Sequence, residues 1–235
     1  YKFRGDINIA CTIYLNTFGH RSGMNEKEIL DALHWRYATK QFDTTKKIAP
    51  HDLQMLKEAV RLSASSFGLQ PWRVVHVKEP ALRAKLAEAA WNQPQITQAS
   101  EVFVFAAITT LSSKYVEDYI HLVASTHSLP AESLDGYKNM MLGFEQGLSP
   151  EHKITWAQKQ AYIALGNLLT TTALLKIDAC PMEGFDAPQV DKVLGLEKDG
   201  LTTAVICTLG YRSPEDKTAS YKKVRFPIET LFIEK

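Results

Sequence analysis

The spacing of apolar and polar residues along the chain predicts a series of helices. One is expected from Asn25 onward, where Ile29 and Leu33 share a stripe, and others over residues 50–62, 81–90, 151–176 and 187–194. Residues 113–147 predict one or two more, broken near residues 128–130 by Ser-Leu-Pro. The pattern over 151–176 becomes almost continuously apolar in its second half, which indicates a buried helix.

Strands are predicted where short apolar runs lie between these helices. They cover residues 72–78, 102–108, 178–180 and 203–209, and the run at 102–108 is apolar on both faces, as in a central strand covered by helices. Residues 228–233 are expected to form an extended tail. No linker or repeat divides the chain, so one α+β domain is expected over residues 24–235. Residues 1–23, which precede the first methionine, are expected to be an upstream extension or a remnant of expression.

Composition narrows the classes of function. The 235 residues are 45% hydrophobic with a net charge of +1, which gives no chain-wide attraction to nucleic acid or to a membrane surface. The stretch 161–177 is shorter than the roughly 20 apolar residues that a membrane span needs. Cys11, Cys180 and Cys207 are widely spaced and form no metal-ligand pattern. They favour a reducing compartment, the cytoplasm, and no metal site.

The sequence contains none of the common motifs of a self-sufficient catalyst. It has no Gly-x-Gly-x-x-Gly after a strand, no Walker A motif, no Gly-x-Ser-x-Gly elbow and no His-Glu-x-x-His helix. The chemistry is therefore expected to come from a bound cofactor that the protein positions.

Four short segments carry polar groups where the chain must turn: residues 36–40, 63–70, 181–185 and 222–225. Each also has a purely structural explanation, as helix-end charge, a helix stop, a turn after a strand or a solvated surface. Together, Arg36, Lys40, Lys223 and Arg225 are candidates for a cationic grip on a phosphorylated ligand. Spacing alone does not establish that they converge.

Taken in order, these segments resemble a known family. The chain is similar to the flavin-dependent nitroreductases, most of all to the oxygen-insensitive NAD(P)H nitroreductase and dihydropteridine reductase branch, from about Ile29 to the carboxyl end. The resemblance rests on five motifs in one order: Arg36-x-x-x-Lys40-x-Phe42-Asp43, Ser63-x-Ser65-Ser66 with Gln70-Pro71-Trp72, Asn92, Pro181-x-Glu183-Gly184-Phe185-Asp186, and Lys223-x-Arg225-x-Pro227.

The resemblance implies an α+β fold in which helices wrap a mainly antiparallel sheet. It implies an intertwined homodimer with two FMN molecules at the interface, so that one subunit alone has no complete active site. The long helix over 151–176 would lie at the centre of the interface, and the tail over 228–233 would pair with the partner's sheet. The flavin N5, rather than a catalytic side chain, would carry the chemistry.

The resemblance also assigns cofactor contacts. The residues that would contact the phosphate and the adjoining edge of the isoalloxazine are Arg36, Tyr37, Ala38, Lys40, Lys223 and Arg225. The segment that the partner subunit offers to the flavin corresponds to Ser63, Ser65, Ser66 and Gln70. Asn92 matches an amide on the pyrimidine side. The loop beside the dimethylbenzene ring and N5 corresponds to Pro181, Glu183 and Gly184.

Three positions depart from the pattern of the branch. Tyr37-Ala38 replaces the usual His-Ser, which removes a hydroxyl but keeps the backbone donors. Phe67-Gly68-Leu69 replaces a segment in which Asn is common, so we expect a more apolar cofactor wall and an altered flavin potential or substrate access. Gln95, also expected at the cofactor, stands where a Lys is frequent, so one positive charge near the N1–O2 end of the flavin is lost.

The activity implied is that of an FMN-dependent NAD(P)H oxidoreductase. NADH or NADPH and a small flat acceptor, such as a nitroaromatic or a quinone, would react in ping-pong order. Dehalogenation, flavin fragmentation or desaturation are the alternatives within the family. The departures at Tyr37-Ala38 and Gln95 also leave open a non-catalytic FMN-binding protein, and an interaction domain without a cofactor would be colourless when purified.

Overall fold

The first helix of the fold is fixed by reciprocal capping. The computed structural model describes residues 25–235, and the expected extension over 1–23 lies outside them. Helix α1 (Glu26–Trp35) begins after Asn25, whose side chain accepts a hydrogen bond from the Glu28 N–H. The Glu28 carboxylate accepts one from the Asn25 N–H in return, at 2.9 Å. Two otherwise unpaired N–H groups are satisfied in this way, as the predicted helix start requires.

Four strands form one antiparallel sheet in the order β1-β2-β4-β3. They are β1 (Trp72–His76), β2 (Glu101–Ile108), β3 (Asp178–Met182) and β4 (Leu201–Gly210). The central strand β2 is buried on both faces, and Val102, Phe103 and Val104 are each 2% exposed or less. The predicted α+β fold with helices around an antiparallel sheet is therefore confirmed.

Helices cover both faces of this sheet. On one face α2 (Pro50–Arg61) and α7 (Pro150–Leu174) pack Leu56 and Leu168 against Phe105. On the other, α3 (Pro80–Ala89) and α8 (Ala187–Leu194) pack against Val104 and Ile206. The remaining helices are α4 (Gln95–Gln98), α5 (Ser113–His127), α6 (Asp135–Gln146) and α9 (Ile228–Leu231). Within residues 25–235 no helix combines the length and apolar character needed to cross a bilayer.

The break predicted near residues 128–130 is confirmed and separates α5 from α6. Ser128 ends α5 with a φ of +54°, in the left-handed region that stops a helix. Pro130 then precedes a single 3₁₀ turn over Ala131–Leu134.

The expectation of an extended tail over residues 228–233 is wrong for its first four residues, which form α9. Pro227 occupies the position before this helical turn, and Glu229 lies in the turn, where a negative charge near the N-terminus favours the helix. The sheet of the described chain gives the segment no neighbouring strand, so local preference decides its conformation. Its apolar side chains are left in solvent: Ile228 is 70% exposed and Phe232 71%.

Candidate cofactor-binding site

A cavity of about 370 Å³ lies between the end of α1 and the segment that follows β4. Its walls are residues 34–38 on one side and residues 218–225 on the other. Arg36, Lys223 and Arg225 line it together with Lys222, and we call it the basic cradle. The structure therefore brings the first and last predicted motifs together, although Arg36 and Lys223 are 187 residues apart in sequence.

The cations of the cradle repel one another. Burial and the charge of Arg225 lower the pKa of Arg36. Burial and the charges of Arg36 and Arg225 lower the pKa of Lys223, whose ammonium donates to the Arg36 carbonyl. Among the described residues none of these three cations forms an ion pair with a carboxylate. An entering anion would relieve this repulsion, so the lining fits a phosphate.

Lys40 lies beside the cradle, next to β3. Ala38 forms a parallel bridge with Ala179, and the Thr39 N–H donates to the Ala179 carbonyl at 3.3 Å, so residues 38–40 follow the free edge of β3. Burial raises the pKa of the Cys180 thiol on that strand, and the charges of Lys40 and Arg36 oppose the rise. The first motif thus meets the strand that leads into Glu183 and Gly184.

A buried ion pair supports the residues that present Arg36. Asp178, which is 4% exposed, accepts from the Arg212 N–H and Nε, each at 2.8 Å. The Arg212 guanidinium lies 4.2 Å from the ring centre of Trp35 and 4.6 Å from that of Tyr37. Because these rings flank Arg36 in sequence, the stack fixes the backbone that carries the guanidinium.

Asp216 is a second buried carboxylate next to the cradle. Burial alone would raise its pKa, but hydrogen bonds from Thr218 and from the loop over residues 37–41 outweigh burial and lower the pKa to about 2. Burial and the hydrogen bond to Asp216 raise the pKa of Tyr37 to about 12. Asp216 is therefore ionised and Tyr37 protonated throughout the neutral range.

The Glu183–Gly184 loop is held by side chains from two other elements. The Tyr162 hydroxyl of α7 donates to the Glu183 carboxylate at 2.6 Å, and Gln93 Nε2 donates to the Gly184 carbonyl at 2.7 Å. A Cβ on Gly184 would lie 2.9 Å from the Trp91 ring, so this close approach requires glycine. The Gly184 N–H donates to no acceptor within residues 25–235 and is available to a ligand.

The remaining predicted positions near this loop differ in exposure. Asn92 is exposed and, like Trp91 before it, has a positive φ, of 54°. Gln95 is only 4% exposed, and its Oε1 has no hydrogen-bond partner among the described residues. Pro181 pairs with Cys207 inside the sheet. A cofactor contact by these three residues stays a prediction.

The serine loop, residues 63–70, is bound to α7 rather than to the cradle. The Ser63 hydroxyl accepts from an amide of α7 at 2.9 Å, and the Ser66 N–H donates to another α7 amide at 2.8 Å. The Ser65 hydroxyl accepts from the Gln70 N–H at 2.9 Å. In a single chain the loop does not line the cradle, and Gln70 lines a different cavity.

The apolar wall predicted at residues 67–69 is held by hydrogen bonds from α5 and α6. The Tyr115 hydroxyl of α5 lies 2.9 Å from the carbonyls of Leu69 and Gln70. The Tyr137 hydroxyl of α6 donates to the Phe67 carbonyl, also at 2.9 Å. Phe67 has a φ of +57°, a conformation that costs a non-glycine residue about 1–3 kcal/mol and persists only under such restraint.

A second cavity, of about 430 Å³, lies at the edge strand β1, and we call it the edge cavity. Its lining is Lys57, Val60, Arg61, Gln70, Trp72, Arg73, Val74, His76 and Phe103. Trp72 Nε1 and His76 Nδ1 are buried without a hydrogen-bond partner among residues 25–235. Buried polar atoms of this kind are rare in a finished protein interior.

Sequence reasoning misses Asp216, Arg212 and Tyr162. Asp216 stands two residues before Thr218, a spacing typical of a side chain that caps a turn, so its local role was readable. Its hydrogen bond to Tyr37 spans 179 residues of sequence, and no local pattern signals it.

Comparison with known proteins places this chain in a family. A sequence model of the Nitroreductase family matches residues 33–211. The chain is 38% identical over 207 residues to YfkO of Bacillus subtilis, provisionally named an NAD(P)H nitroreductase, covering 82% of this chain and 93% of that protein. A Staphylococcus haemolyticus protein with the same provisional name is 37% identical over 213 residues, covering 87% and 95%. The chain belongs to the nitroreductase family.

Solved structures share the fold. The Bacillus subtilis protein ydfN, provisionally named a nitroreductase, superposes with a TM-score of 0.80 at 23% identity, covering 90% of this chain and 100% of that one. An Exiguobacterium sibiricum protein, provisionally named a nitroreductase and crystallised in complex with FMN, has a TM-score of 0.76 at 21% identity, covering 92% and 99%. A gut-bacterial enone reductase that acts in fatty acid saturation has a TM-score of 0.76 at 23% identity, covering 89% and 98%.

Proposed function

We propose that this chain is an FMN-dependent NAD(P)H oxidoreductase that reduces nitroaromatics, quinones or similar flat electron acceptors. The observation that carries the proposal is the basic cradle, where Arg36, Lys223 and Arg225 converge without a carboxylate partner among residues 25–235. A phosphate monoester has up to two negative charges near neutral pH and three acceptor oxygens. FMN ends in such a group, and the Exiguobacterium sibiricum relative in fold binds FMN.

The residues divide between the two ends of the cofactor. Arg36, Lys223 and Arg225 would hold the phosphate, while Lys40 and the free Gly184 N–H would face the ring from the β3 side. When bound, FMN would supply two-electron hydride chemistry, with NADH or NADPH as the reductant and a ping-pong order of the two substrates. Tyr162 and Gln93 keep the Glu183–Gly184 loop in place, so the donor is positioned before the ligand arrives.

A homodimer is part of the proposal. The apolar side chains of Ile228, Leu231, Phe232 and Ile233 are each at least 60% exposed. The edge cavity offers an unpaired strand edge, buried N–H or ring nitrogen atoms and the cations Lys57 and Arg73, while the tail carries Glu229 and Glu234. We infer that the tail of one subunit covers the edge cavity of the other.

In such a dimer the serine loop and the amides would complete the site. Ser63, Ser65, Ser66 and Gln70 would then approach the partner's flavin, because in their own chain they lie away from the cradle. Asn92 and Gln95 would face the pyrimidine side. Residues 24–235 would act as one FMN-binding unit, and the buried free thiols Cys180 and Cys207 suit a reducing, cytoplasmic location.

The proposal is tested first by FMN binding to the purified protein and to Arg225→Ala. Loss of a charge-assisted phosphate contact should weaken FMN binding about 10- to 100-fold, measured by quenching of flavin fluorescence. Lys114→Ala is the control, because Lys114 is an exposed cation paired with Asp118 at 2.8 Å and lines neither the cradle nor the edge cavity. FMN affinity in Arg225→Ala equal to that of the wild type contradicts the assignment of the cradle.

Turnover is tested with FMN-loaded protein, NADH or NADPH, and a nitrofuran or a quinone. Acceptor-dependent oxidation of the nicotinamide, with parallel double-reciprocal plots, is the expected result. FMN binding without such turnover would favour a non-catalytic flavoprotein or another flavin chemistry of the family. A colourless protein that binds no FMN would refute the proposal.

A further inference from the structure

The two walls of the basic cradle come from distant parts of the chain and are joined by several contacts, among them the Arg212 guanidinium over Trp35 and Tyr37. One wall is the loop after α1, and the other is the segment after β4. Lys223 reaches across to the Arg36 carbonyl. Beyond the cradle, the Ser213 N–H donates to the Gln41 carbonyl at 2.9 Å. Between these two links lies the carboxylate of Asp216, which is 4% exposed.

The two oxygens of this carboxylate serve different walls. Asp216 Oδ2 accepts from the Tyr37 hydroxyl at 2.9 Å and from the N–H groups of Lys40 at 2.8 Å and Gln41 at 3.2 Å. Oδ1 accepts from the Thr218 N–H at 3.0 Å and the Thr218 hydroxyl at 2.5 Å. One side chain therefore ties the loop over residues 37–41 to the turn that begins the segment 217–225.

The hydrogen bonds also explain how an acidic group can stand beside an anion site. A carboxylate has about four lone-pair positions, and five donors from backbone and hydroxyl groups occupy those of Asp216. None of these donors belongs to the side chains of Arg36, Lys223 or Arg225. The cations stay available to a ligand, while the carboxylate is occupied in joining the walls.

We propose that Asp216 is a positioning residue of the basic cradle, clamping its two walls so that Arg36 and Arg225 converge on one phosphate. The inference rests on the proposed function for the identity of the ligand. The clamp itself is a property of the chain without a ligand. Removing one acceptor oxygen should let the walls separate and should affect phosphate recognition specifically.

The chain provides a matched control in Asp191. This carboxylate is 5% exposed and accepts from the Thr202 hydroxyl at 2.8 Å, the Thr203 N–H at 2.8 Å and the Thr203 hydroxyl at 2.5 Å. It joins α8 to β4 through the same chemistry as Asp216, but these two elements contribute no lining residue to the cradle. A merely structural effect of losing a buried carboxylate should appear equally in both.

The experiment compares Asp216→Asn, Asp191→Asn and the wild type. Asparagine keeps the volume but replaces one acceptor oxygen with a donor, so at least one of the N–H groups loses its partner. Affinities for FMN and for riboflavin, which lacks the phosphate, are measured by fluorescence. Amide hydrogen exchange of residues 36–41 and 217–225 is measured without ligand.

In Asp216→Asn the preference for FMN over riboflavin should fall about tenfold, and exchange should rise in both segments. Asp191→Asn should change neither the preference for FMN nor the exchange of these two segments. An unchanged preference in Asp216→Asn, or an equal loss in Asp191→Asn, overturns the clamp. If the wild type does not prefer FMN to riboflavin, the proposed function fails, and hydrogen exchange still decides: unaltered exchange in either segment of Asp216→Asn refutes the clamp.

Discussion

The basic cradle and the edge cavity are both lined by arginine and lysine, but the groups that surround these cations differ. In the edge cavity Arg61 is paired with Glu58 and Arg73 lies over the Tyr115 ring. In the cradle Arg36 and Arg225 have no carboxylate partner within residues 25–235, and burial together with the charge of Arg225 lowers the pKa of Arg36. Repulsion among neighbouring cations, rather than the number of charges, distinguishes the anion site.

The edge cavity differs in that it contains buried polar atoms without a hydrogen-bond partner among residues 25–235. Its unpartnered groups are the neutral nitrogens of Trp72 and His76, next to the free edge of β1. The Trp72 indole N–H is a neutral donor, whereas His76 Nδ1 is an acceptor, because the Nε2 of that ring faces the Glu101 carboxylate at 2.5 Å. A polypeptide segment laid against this open strand edge can satisfy backbone and side-chain groups together. These differences favour the proposals that a small anion binds in the basic cradle and that a second chain covers the edge cavity.

Shortening the chain after Phe226 should have the largest effect, because it removes the inferred cover of the edge cavity. Each large apolar side chain that is buried contributes about 1.5–3 kcal/mol, so the dimer should dissociate about a thousandfold more readily or worse. Sedimentation across a concentration series measures this. Leu122→Asp, at an equally exposed apolar position of α5, should leave the dimer intact. A shortened chain that stays dimeric would contradict the proposal that the tail covers the edge cavity.

Arg212→Ala should have the next largest effect, on the side of the cradle. It leaves the buried Asp178 carboxylate without its cation, which should lower the free energy of unfolding by about 3–5 kcal/mol in urea. Arg61→Ala, which breaks the exposed pair with Glu58, should leave it unchanged. Similar losses in the two variants would show that the ion pair beside the cradle has no special structural role.

The pH dependence of Asp216 should be the smallest of these effects. Its folded pKa of about 2 lies below the usual unfolded value of roughly 3.9, so its stabilisation is present above pH 4 or so and is lost as the pH falls toward 2. The free energy of unfolding of the wild type should exceed that of Asp216→Asn by about 2 kcal/mol at pH 6, and this difference should disappear in acid. A gap that is constant down to pH 2.5 would contradict the depressed pKa.

Much of the fold was readable because its causes are local. The helix over residues 187–194 and the break at Ser128–Leu129–Pro130 follow from caps and breakers within a few residues, and the apolar run in β2 follows from burial on both faces. The tail over residues 228–233 departs from its prediction because local preferences decide its conformation as well. Its apolar residues suggest a strand, but Pro227 and the lack of a neighbouring strand in the described chain favour a helical turn.

By itself the sequence determined which residues could bind a phosphate and the order of the family's motifs, because residue type and spacing are written along the chain. Only the tertiary structure decided that Arg36 and Arg225 share one cavity whereas Ser65 and Gln70 do not line it. It also decided that Asp216 joins the two walls. Hydrogen bonds and charge repulsion depend on distances in space, and residues nearly 190 positions apart acquire those distances only when the sheet and its helices pack.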